Sequence, residues 1–484
     1  MSALTPTGQS ATRYTLGLIF RWLRRWRDRL LSTSTTDHAL TAEPVKIPRD
    51  QHPISRKNIS RAALKVLYGL HEAGFQALLV GGGVRDQLLG MQPKDFDVAT
   101  DASPEQVKAV FRRCRLIGRR FRLAHVRFGD EIIEVATFRA APRTPDEGED
   151  DNSADGLHEQ DDSGRILRDN VYGNLEQDAV RRDFTINALY YDIADFSIVD
   201  HVGGMADLEQ RRLRLIGDPE TRYREDPVRM LRAMRFAAKL DFNIDPAAAK
   251  PIASLRPLLL DVPPARIFDE LQKMLLCDHA QACFAALVRY DMLALLLPPV
   301  AALLDQPKVR PFIDAALAST ESRIRQNKPV SPAFLLACML WFPMLKRQQQ
   351  HLDQGLPPMQ ALSAAADEVF AQVLPRVAVP RRFSAMVNEI WHLQHRFHQR
   401  RGKRPYRLLE HKRYRAAWDF LELRAEVGDA EAELPGWWDH FANAQGEDRS
   451  QLQEQAGGSA EGAPSRRRRR RRRKPRGGAN TSES

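Results

Sequence analysis

Two aspartates, Asp95 and Asp97, stand two residues apart in the run Asp95-Phe96-Asp97-Val98-Ala99-Thr100, a short distance after three consecutive glycines, Gly81 to Gly83. Successive side chains of a strand point to opposite faces, so a strand here puts both carboxylates on one face. Two carboxylates on one face are a hard-oxygen donor set for a pair of divalent cations. Glycines let backbone N–H groups approach phosphate oxygens closely. Taken singly the two signals are weak, since a glycine triplet is usually a tight turn and an isolated D-x-D a solvated surface pair. Together they suit attack by a hydroxyl on a nucleoside triphosphate. The spacing is not that of a P-loop, which needs G-x-x-x-x-G-K-[ST]. Nor is it a dinucleotide fold, whose G-x-G-x-x-G opens a long βαβ crossover.

These groups need elements to hold them. Leu78-Leu79-Val80 reads as a buried strand running into the glycines, followed by a short helix through Leu88 and Leu89 that Gly90 stops. Asp95–Thr100 reads as a second strand. A helix through Ala62, Leu64, Val66, Leu67 and Leu70, ending near Gly74, precedes the first. Ser103-Pro104-Glu105 has the form of an N-cap with proline in the first turn, opening a helix through Val107, Val110 and Phe111. Strand signals return at Leu116-Ile117, at His125–Phe128 and at Glu131–Phe138. Between Pro142 and Gly164 the chain is strongly acidic and reads as a flexible surface loop. From Asp207 onward the pattern is helical almost throughout, and from about Gln445 it turns polar and glycine-rich.

Three motifs stand in one order: Gly81-Gly82-x-x-Arg85-Asp86 with the D-x-D, Arg181-Arg182-Asp183-x-x-x-Asn187-Ala188, and Glu225-Asp226-x-x-Arg229. In this the chain resembles the nucleotidyltransferase family that contains bacterial poly(A) polymerases and tRNA CCA-adding enzymes. The resemblance implies an α+β protein, with a small polymerase-beta-like nucleotidyltransferase head followed by an all-α neck and body. It implies two Mg²⁺ ions on Asp95 and Asp97, and places Asp183 with them as a third active-site carboxylate. Gly82, Gly83 and Arg85 would steady the triphosphate, Arg182 would meet a phosphate, and Asp183 and Asn187 would address the nucleotide sugar. Asp226, Arg229 and Arg232 would read the incoming base, carboxylate and guanidinium supplying acceptor and donors. The residues alone leave plainer readings open: Asp183 as a helix cap with solvated arginines, and Asp226 with Arg229 as an i,i+3 ion pair. Glu134, on a strand that could pair with the D-x-D strand, is the competing third carboxylate, and Asp183 is preferred.

Within that family the segment Ile117-Gly118-Arg119-Arg120-Phe121-Arg122 resembles the poly(A) polymerase branch, and Arg119, Arg120 and Arg122 are expected to meet RNA. Residues 466–473 are eight consecutive arginines, followed by Lys474 and Arg476. These ten charges account for nearly all of the formal charge of +11, so the rest of the chain is nearly neutral. Such a run buries no apolar surface and suits a polyanion, bound through counterion release. Arg466, Arg467, Arg468, Arg469 and Arg470 are therefore expected RNA contacts, on a tether blind to sequence. No His-Asp dipeptide is present, so the metal-dependent phosphohydrolase domain fused to some CCA-adding enzymes is not expected. The resulting expectation is template-independent addition of AMP from ATP to RNA 3′ ends in a bacterial cytoplasm, serving RNA decay and its machinery. The alternatives are a tRNA CCA-adding enzyme and a non-catalytic RNA-binding protein.

At 484 residues the chain holds two to four units. The expected boundaries are an N-terminal arm (1–50), the head (51–205, with the acidic loop 142–164), a helical neck (206–275), an all-α body (276–443) and a disordered arginine-rich tail (444–484). The arm carries one amphipathic segment, Leu18 to Trp26, which could lie on an anionic membrane, act as a presequence or pack on the body. No run of eighteen apolar residues exists, so no membrane span is expected. The four cysteines, Cys114, Cys277, Cys283 and Cys338, form no C-x-x-C pair and read as scattered buried thiols rather than a disulfide framework or zinc site.

Overall fold

The structure, a computed structural model, describes residues 43–118, 122–140, 158–160, 166–169 and 171–456. Arg119, Arg120, the amphipathic segment 18–26 and the tail arginines Arg466 to Arg470 lie outside the described residues. These fall into two compact units, one ending at Met386 and one beginning at Val387. Among the described residues no helix is long and apolar enough to cross a membrane.

The first unit opens with an eight-stranded mixed sheet. In chain order its strands are β1 (Val45–Ile47), β2 (Ala77–Val80), β3 (Asp97–Thr100), β4 (Cys114–Ile117), β5 (Leu123–Phe128), β6 (Glu131–Thr137), β9 (Leu189–Asp192) and β10 (Ile198–Asp200). Their spatial order is β1-β10-β9-β2-β3-β6-β5-β4. Every neighbour pair is antiparallel except β3 with β6. β2 is buried along its whole length, which its unbroken run Ala-Leu-Leu-Val allows at the centre of a sheet. Helix α1 (Arg61–Glu72) packs against β2, β3 and β6. Its buried side chains, Ala62, Ala63, Val66, Leu67 and Leu70, recur at helical spacing, and the Ser60 hydroxyl accepts from the Ala63 amide to cap it. Leu67→Ala would cost about 2–5 kcal/mol.

Three further short helices position the site: α2 (Gly82–Leu88), α3 (Pro104–Val110) and α4 (Leu175–Arg181). α3 and α4 each open with a full capping box, Ser103 with Gln106 and Asn174 with Gln177. The helical region follows: α5 (Gly204–Glu209), α6 (Pro219–Glu225) and α7 (Val228–Leu240), then a series of helices that includes Pro264–Leu275, Ala280–Arg289 and Val309–Arg325. A two-residue parallel pair, Arg212–Leu213 with Asn243–Ile244, ties the start of this region together.

The second unit packs around two tryptophans. Trp438 is fully buried with Phe397, Leu408, Leu421 and Phe441, and its indole N–H donates to the Phe397 carbonyl at 2.9 Å.

Four expectations are corrected. The first arm is shorter than 50 residues, because Val45–Ile47 forms the edge strand paired with β10. The acidic stretch is not wholly a loop, since β7 (His158–Gln160) pairs with β8 (Ile166–Asp169). Asp183 caps no long helix; it lies between α4 and a single 3₁₀ turn, Thr185–Asn187. The polar tail begins later than 444, because Glu447–Gln455 is helical. There Leu452 packs on the tryptophan core and its carbonyl accepts from Trp437 Nε1.

Candidate active site

β2 ends at Val80, and the chain turns through Gly81, whose φ of +72° lies in the left-handed region that favours glycine. Space matters here as well. A Cβ on Gly81 would stand 3.9 Å from each of Arg182 Nη1, Asp97 Oδ2 and the Asn187 carbonyl oxygen. This turn is therefore the point on which the first two motifs converge. α2 starts at once with Gly82 and Gly83, and a Cβ on Gly83 would press on the Phe96 ring at 3.2 Å. The glycine turn and the chain carrying Asp95 and Asp97 are thus held in close contact.

The aspartates do not both lie on the strand. Asp95 is exposed and precedes β3, whereas Asp97, partly buried, begins it, with Phe96 buried between them. The alternation that sets both carboxylates on one side survives. The register of β3 on β6 pairs Asp97 with Glu134, and that of β5 on β6 pairs His125 with Glu134. Directly opposed residues share a face, so Tyr190, Val80, Asp97, Glu134 and His125 form one row across the sheet. Burial, together with the Glu134 and Asp95 carboxylates and against the pull of Arg182, pushes the Asp97 carboxyl up to about 6. Like charges gathered without a neutralising cation raise a carboxyl in this way. Three oxygen donors in that state fit hard divalent cations such as Mg²⁺.

The carboxylate set directly opposite Asp97 by the strand register is thus Glu134. Asp183 is bound elsewhere: its Oδ2 accepts from Arg232 Nε at 2.8 Å and Nη2 at 2.5 Å. Its Oδ1 accepts from the Phe184 amide and Asn187 Nδ2. Burial works against ionisation here, but Arg232, Asn187 and the Phe184 amide outweigh it and hold the group well below the usual carboxylate range.

A network of alternating charge runs from there. Asn187 Oδ1 accepts from Arg85 Nη1, and Arg85 Nε and Nη2 donate to Asp86 Oδ1 at 2.8 and 2.6 Å. Asp86 Oδ2 accepts from Lys239 Nζ at 2.9 Å. Arg85, expected at the triphosphate, is only 2% exposed. Its guanidinium, like that of Arg232, lies within 5.5 Å of the Phe236 ring, a cation–π arrangement. The structure therefore places Arg85, Asn187, Asp183 and Arg232 in one brace joining α2, the 3₁₀ turn and α7.

The third motif is also split. Asp226 accepts from Arg266 Nη2, with both oxygens within 3.1 Å. Arg229 Nη1 donates to Glu225 Oε2 at 2.9 Å and to the Arg222 carbonyl at 2.7 Å. Each residue of the i,i+3 pair open in the sequence thus has a partner outside that pair. Arg122, expected on RNA, makes a half-exposed ion pair with Glu105 at 3.0 Å.

A cluster of arginines lies beside the carboxylates. Arg182 donates to Asp178 and the Tyr190 hydroxyl, which itself donates to Asp178 at 2.7 Å. Arg222 Nη2 donates to the Arg181 and Arg182 carbonyls at 2.7 and 2.8 Å, and its Nη1 to Glu225. Burial, with neighbouring guanidiniums, lowers Arg181 and Arg222 to about 10 each: Arg139, Arg222 and Arg229 act on Arg181, and Arg229 acts on Arg222. Burial lowers Arg139 as well. Arg139, Arg181 and Arg222 were not singled out from sequence. Arg181 opens the second motif and Arg222 stands three residues before the third, and nothing local marks Arg139. Concentrated, partly desolvated positive charge is a binding environment for a polyanion such as a triphosphate.

Comparison with known proteins agrees with this layout. The chain matches family models described as "Poly A polymerase head domain" over residues 77–214, "Probable RNA and SrmB- binding site of polymerase A" over 241–304 and "Polymerase A arginine-rich C-terminus" over 354–474. Among solved structures it resembles the Bacillus stearothermophilus CCA-adding enzyme in complex with CTP, with a TM-score of 0.50 and 23% identity, covering 82% of this chain and 81% of that one. An apo tRNA-processing enzyme gives a TM-score of 0.52 at 21% identity, covering 83% and 98%. These likenesses show the fold. Sequence resolves it further. Poly(A) polymerase I of Salmonella typhimurium is 49% identical over 415 residues, 84% of this chain and 88% of that protein. The Escherichia coli O6:H1 protein of the same name is 50% identical over 403 residues, 82% and 85%. A CCA-adding enzyme of Lactobacillus johnsonii is 36% identical over 223 residues, only 46% and 52%. The chain belongs to the bacterial poly(A) polymerase family of nucleotidyltransferase enzymes.

Proposed function

We propose that this protein adds AMP from ATP to RNA 3′ ends without a template. The observation that carries the reading is the polarity about Gly81. On one side stand the carboxylates of Asp95, Asp97 and Glu134, with Asp97 raised to about 6; on the other stands the arginine cluster. A triphosphate spanning them would set its α-phosphorus near the carboxylates and its outer phosphates against guanidiniums.

Asp95, Asp97 and Glu134 would hold the Mg²⁺ ions. When bound, these ions supply Lewis-acid stabilisation of the phosphoryl oxygens and lower the pKa of the attacking 3′-hydroxyl. The backbone N–H groups of Gly82 and Gly83 and the Arg182 guanidinium steady the triphosphate. Arg85, Asn187, Asp183 and Arg232 keep the glycine turn and α7 in fixed relation, so the base-side residues keep their distance from the reacting phosphate. Asp226 and Arg229 would meet the base after exchanging their present partners, Arg266 and Glu225, for its edge. RNA is held by Arg119, Arg120, Arg122 and the arginine run from Arg466 to Arg470. A cytoplasmic role in RNA decay, in which the added tail offers exonucleases a single-stranded foothold, belongs to the same proposal.

Incubation with an unstructured RNA oligonucleotide and each triphosphate separately tests this. Long homopolymeric tails from ATP are expected. Addition of two cytidylates and one adenylate to a tRNA, followed by a halt, would select the CCA-adding reading instead.

A further inference from the structure

Away from the carboxylates and the arginine cluster, Cys277, His279 and Cys283 bring two sulfurs and an imidazole nitrogen within 4.8 Å of one another. Cys277 and His279 lie in the turn that follows the helix Pro264–Leu275, and Cys283 lies in the first turn of the helix Ala280–Arg289, which His279 precedes as cap residue. Cys283 is fully buried and the other two are half-buried.

The turn is held in place by groups that are not ligands. Asp278, itself exposed, sets a carboxylate oxygen 2.8 Å from His279 Nδ1. A carboxylate there accepts the Nδ1–H hydrogen bond, fixes the tautomer and leaves the Nε2 lone pair for a ligand, as the outer partners of metal-bound histidines do. From the helix Val309–Arg325, Arg325 Nη2 donates to the Asp278 carbonyl at 2.9 Å. The buried Glu321 accepts from the Gln281 amide at 2.8 Å. The arrangement is thus set by the fold before any ligand binds.

We propose that Cys277, His279 and Cys283 form a binding site for a thiophilic divalent cation, with Zn²⁺ as its natural occupant. Two thiolates and one imidazole are a soft and borderline donor set, unlike the all-oxygen set on the sheet, so the two sites select different metals. The fourth position of a tetrahedral ion is left for water. Binding replaces the thiol protons, which pass to solvent; among them is the Cys277 proton positioned to donate to the Met274 carbonyl at 3.0 Å. The site closes the C-terminal end of the helix that supplies Arg266 to Asp226 and Glu270 to Arg235. Its occupancy would therefore stiffen the helix that supports α7 from behind.

The full-length protein, stripped of metal and kept reduced, is titrated with Co²⁺ alone as a spectroscopic probe. About one equivalent should produce a near-ultraviolet thiolate-to-cobalt band, and Zn²⁺ should bleach it. A carboxylate site gives no such band, so Asp95 and Asp97 cannot imitate the signal. The band should vanish in Cys277→Ser/Cys283→Ser and persist in Cys114→Ser. Because the double variant could fail to fold, the wild-type protein is also alkylated with and without Zn²⁺, and modification is mapped by mass spectrometry. Protection of Cys277 by about tenfold, with Cys114 unaffected, is expected. No band, a band that survives in a folded double variant, equal alkylation rates, or a Cys277–Cys283 disulfide in place of metal would each overturn the proposal.

Discussion

Asp97 and Glu134 are paired positions of the only parallel strand pair in the large sheet, β3 with β6, so their carboxylates share one face. The pairing explains why Asp97 titrates high, at about 6, once burial has been counted. It also sets a third carboxylate beside the D-x-D.

A stability measurement follows from this pair. The folded carboxyl of Asp97 is raised above its unfolded value near 4, so the folded state holds the proton more tightly. Its contribution is fully present below about pH 4 and is lost as pH rises through 6. In a metal-free buffer Asp97→Asn should be nearly neutral at pH 4 and stabilising at pH 7. The gain should be about 2 kcal/mol, discounted for partial exposure. Urea unfolding across this range checks it, and saturating Mg²⁺ should erase the advantage. A difference that does not change with pH would argue against the carboxylate cluster.

The Asp183–Arg232 pair carries the opposite sign. The folded pKa of Asp183 is depressed, so its stabilisation is present above about pH 4 and is lost as the solution becomes more acid. Asp183→Asn should cost about 2–3 kcal/mol at pH 7, below the full penalty for a broken buried pair because a third of the Arg232 side chain meets solvent. The Mg²⁺ concentration for half-maximal activity should hold in this variant and rise in Glu134→Gln. The reverse pattern would restore Asp183 as the third ligand.

Asp86 neutralises two cations at once, Arg85 at 2.6 Å and Lys239 at 2.9 Å. Asp86→Asn should leave Arg85 buried and undercompensated and cost about 3–5 kcal/mol. Asp86→Asn with Lys239→Met should cost less than the two changes summed, which a double-mutant cycle in urea would measure. Simple additivity would show that the network is not coupled.

The arginine cluster should respond to a polyanion. Inorganic tripolyphosphate at about one hundred times its Kd should stabilise the wild-type protein by about 2.7 kcal/mol. Arg181→Met relieves repulsion among Arg139, Arg222 and Arg229, so its stability without anion should change by less than about 1 kcal/mol, while its tripolyphosphate affinity falls about tenfold. Equal affinities would move the anion site elsewhere.

What was legible in the chain was local. The Gly81 turn, the Ser103 cap with Pro104, the core face of α1 and the alternation around Phe96 are each set by residues within a few positions of one another. The pairing of Glu134 with Asp97 was not, because it depends on the register of β3 against a strand more than thirty residues away. The same holds for the partner exchange at Asp226 and Arg229, since Arg266 lies forty residues downstream. Arg139 escaped because nothing local marks it, and the Cys277, His279 and Cys283 group escaped because its C-x-H-x-x-x-C spacing is not a C-x-x-C pair and its donors gather only through the turn between two helices. Their meaning arises only where separate elements meet.

The most direct measurement is a single-turnover assay of one adenylate joined to a 3′-end-matched RNA with Mg²⁺ and ATP, comparing wild type with Asp97→Asn. RNA affinity should be the same within a factor of about two, and the rate of the chemical step should fall by at least about a thousandfold. A variant that still joins adenylate within about tenfold of the wild-type rate would show that the aspartate beside Gly81 is not where the reaction occurs.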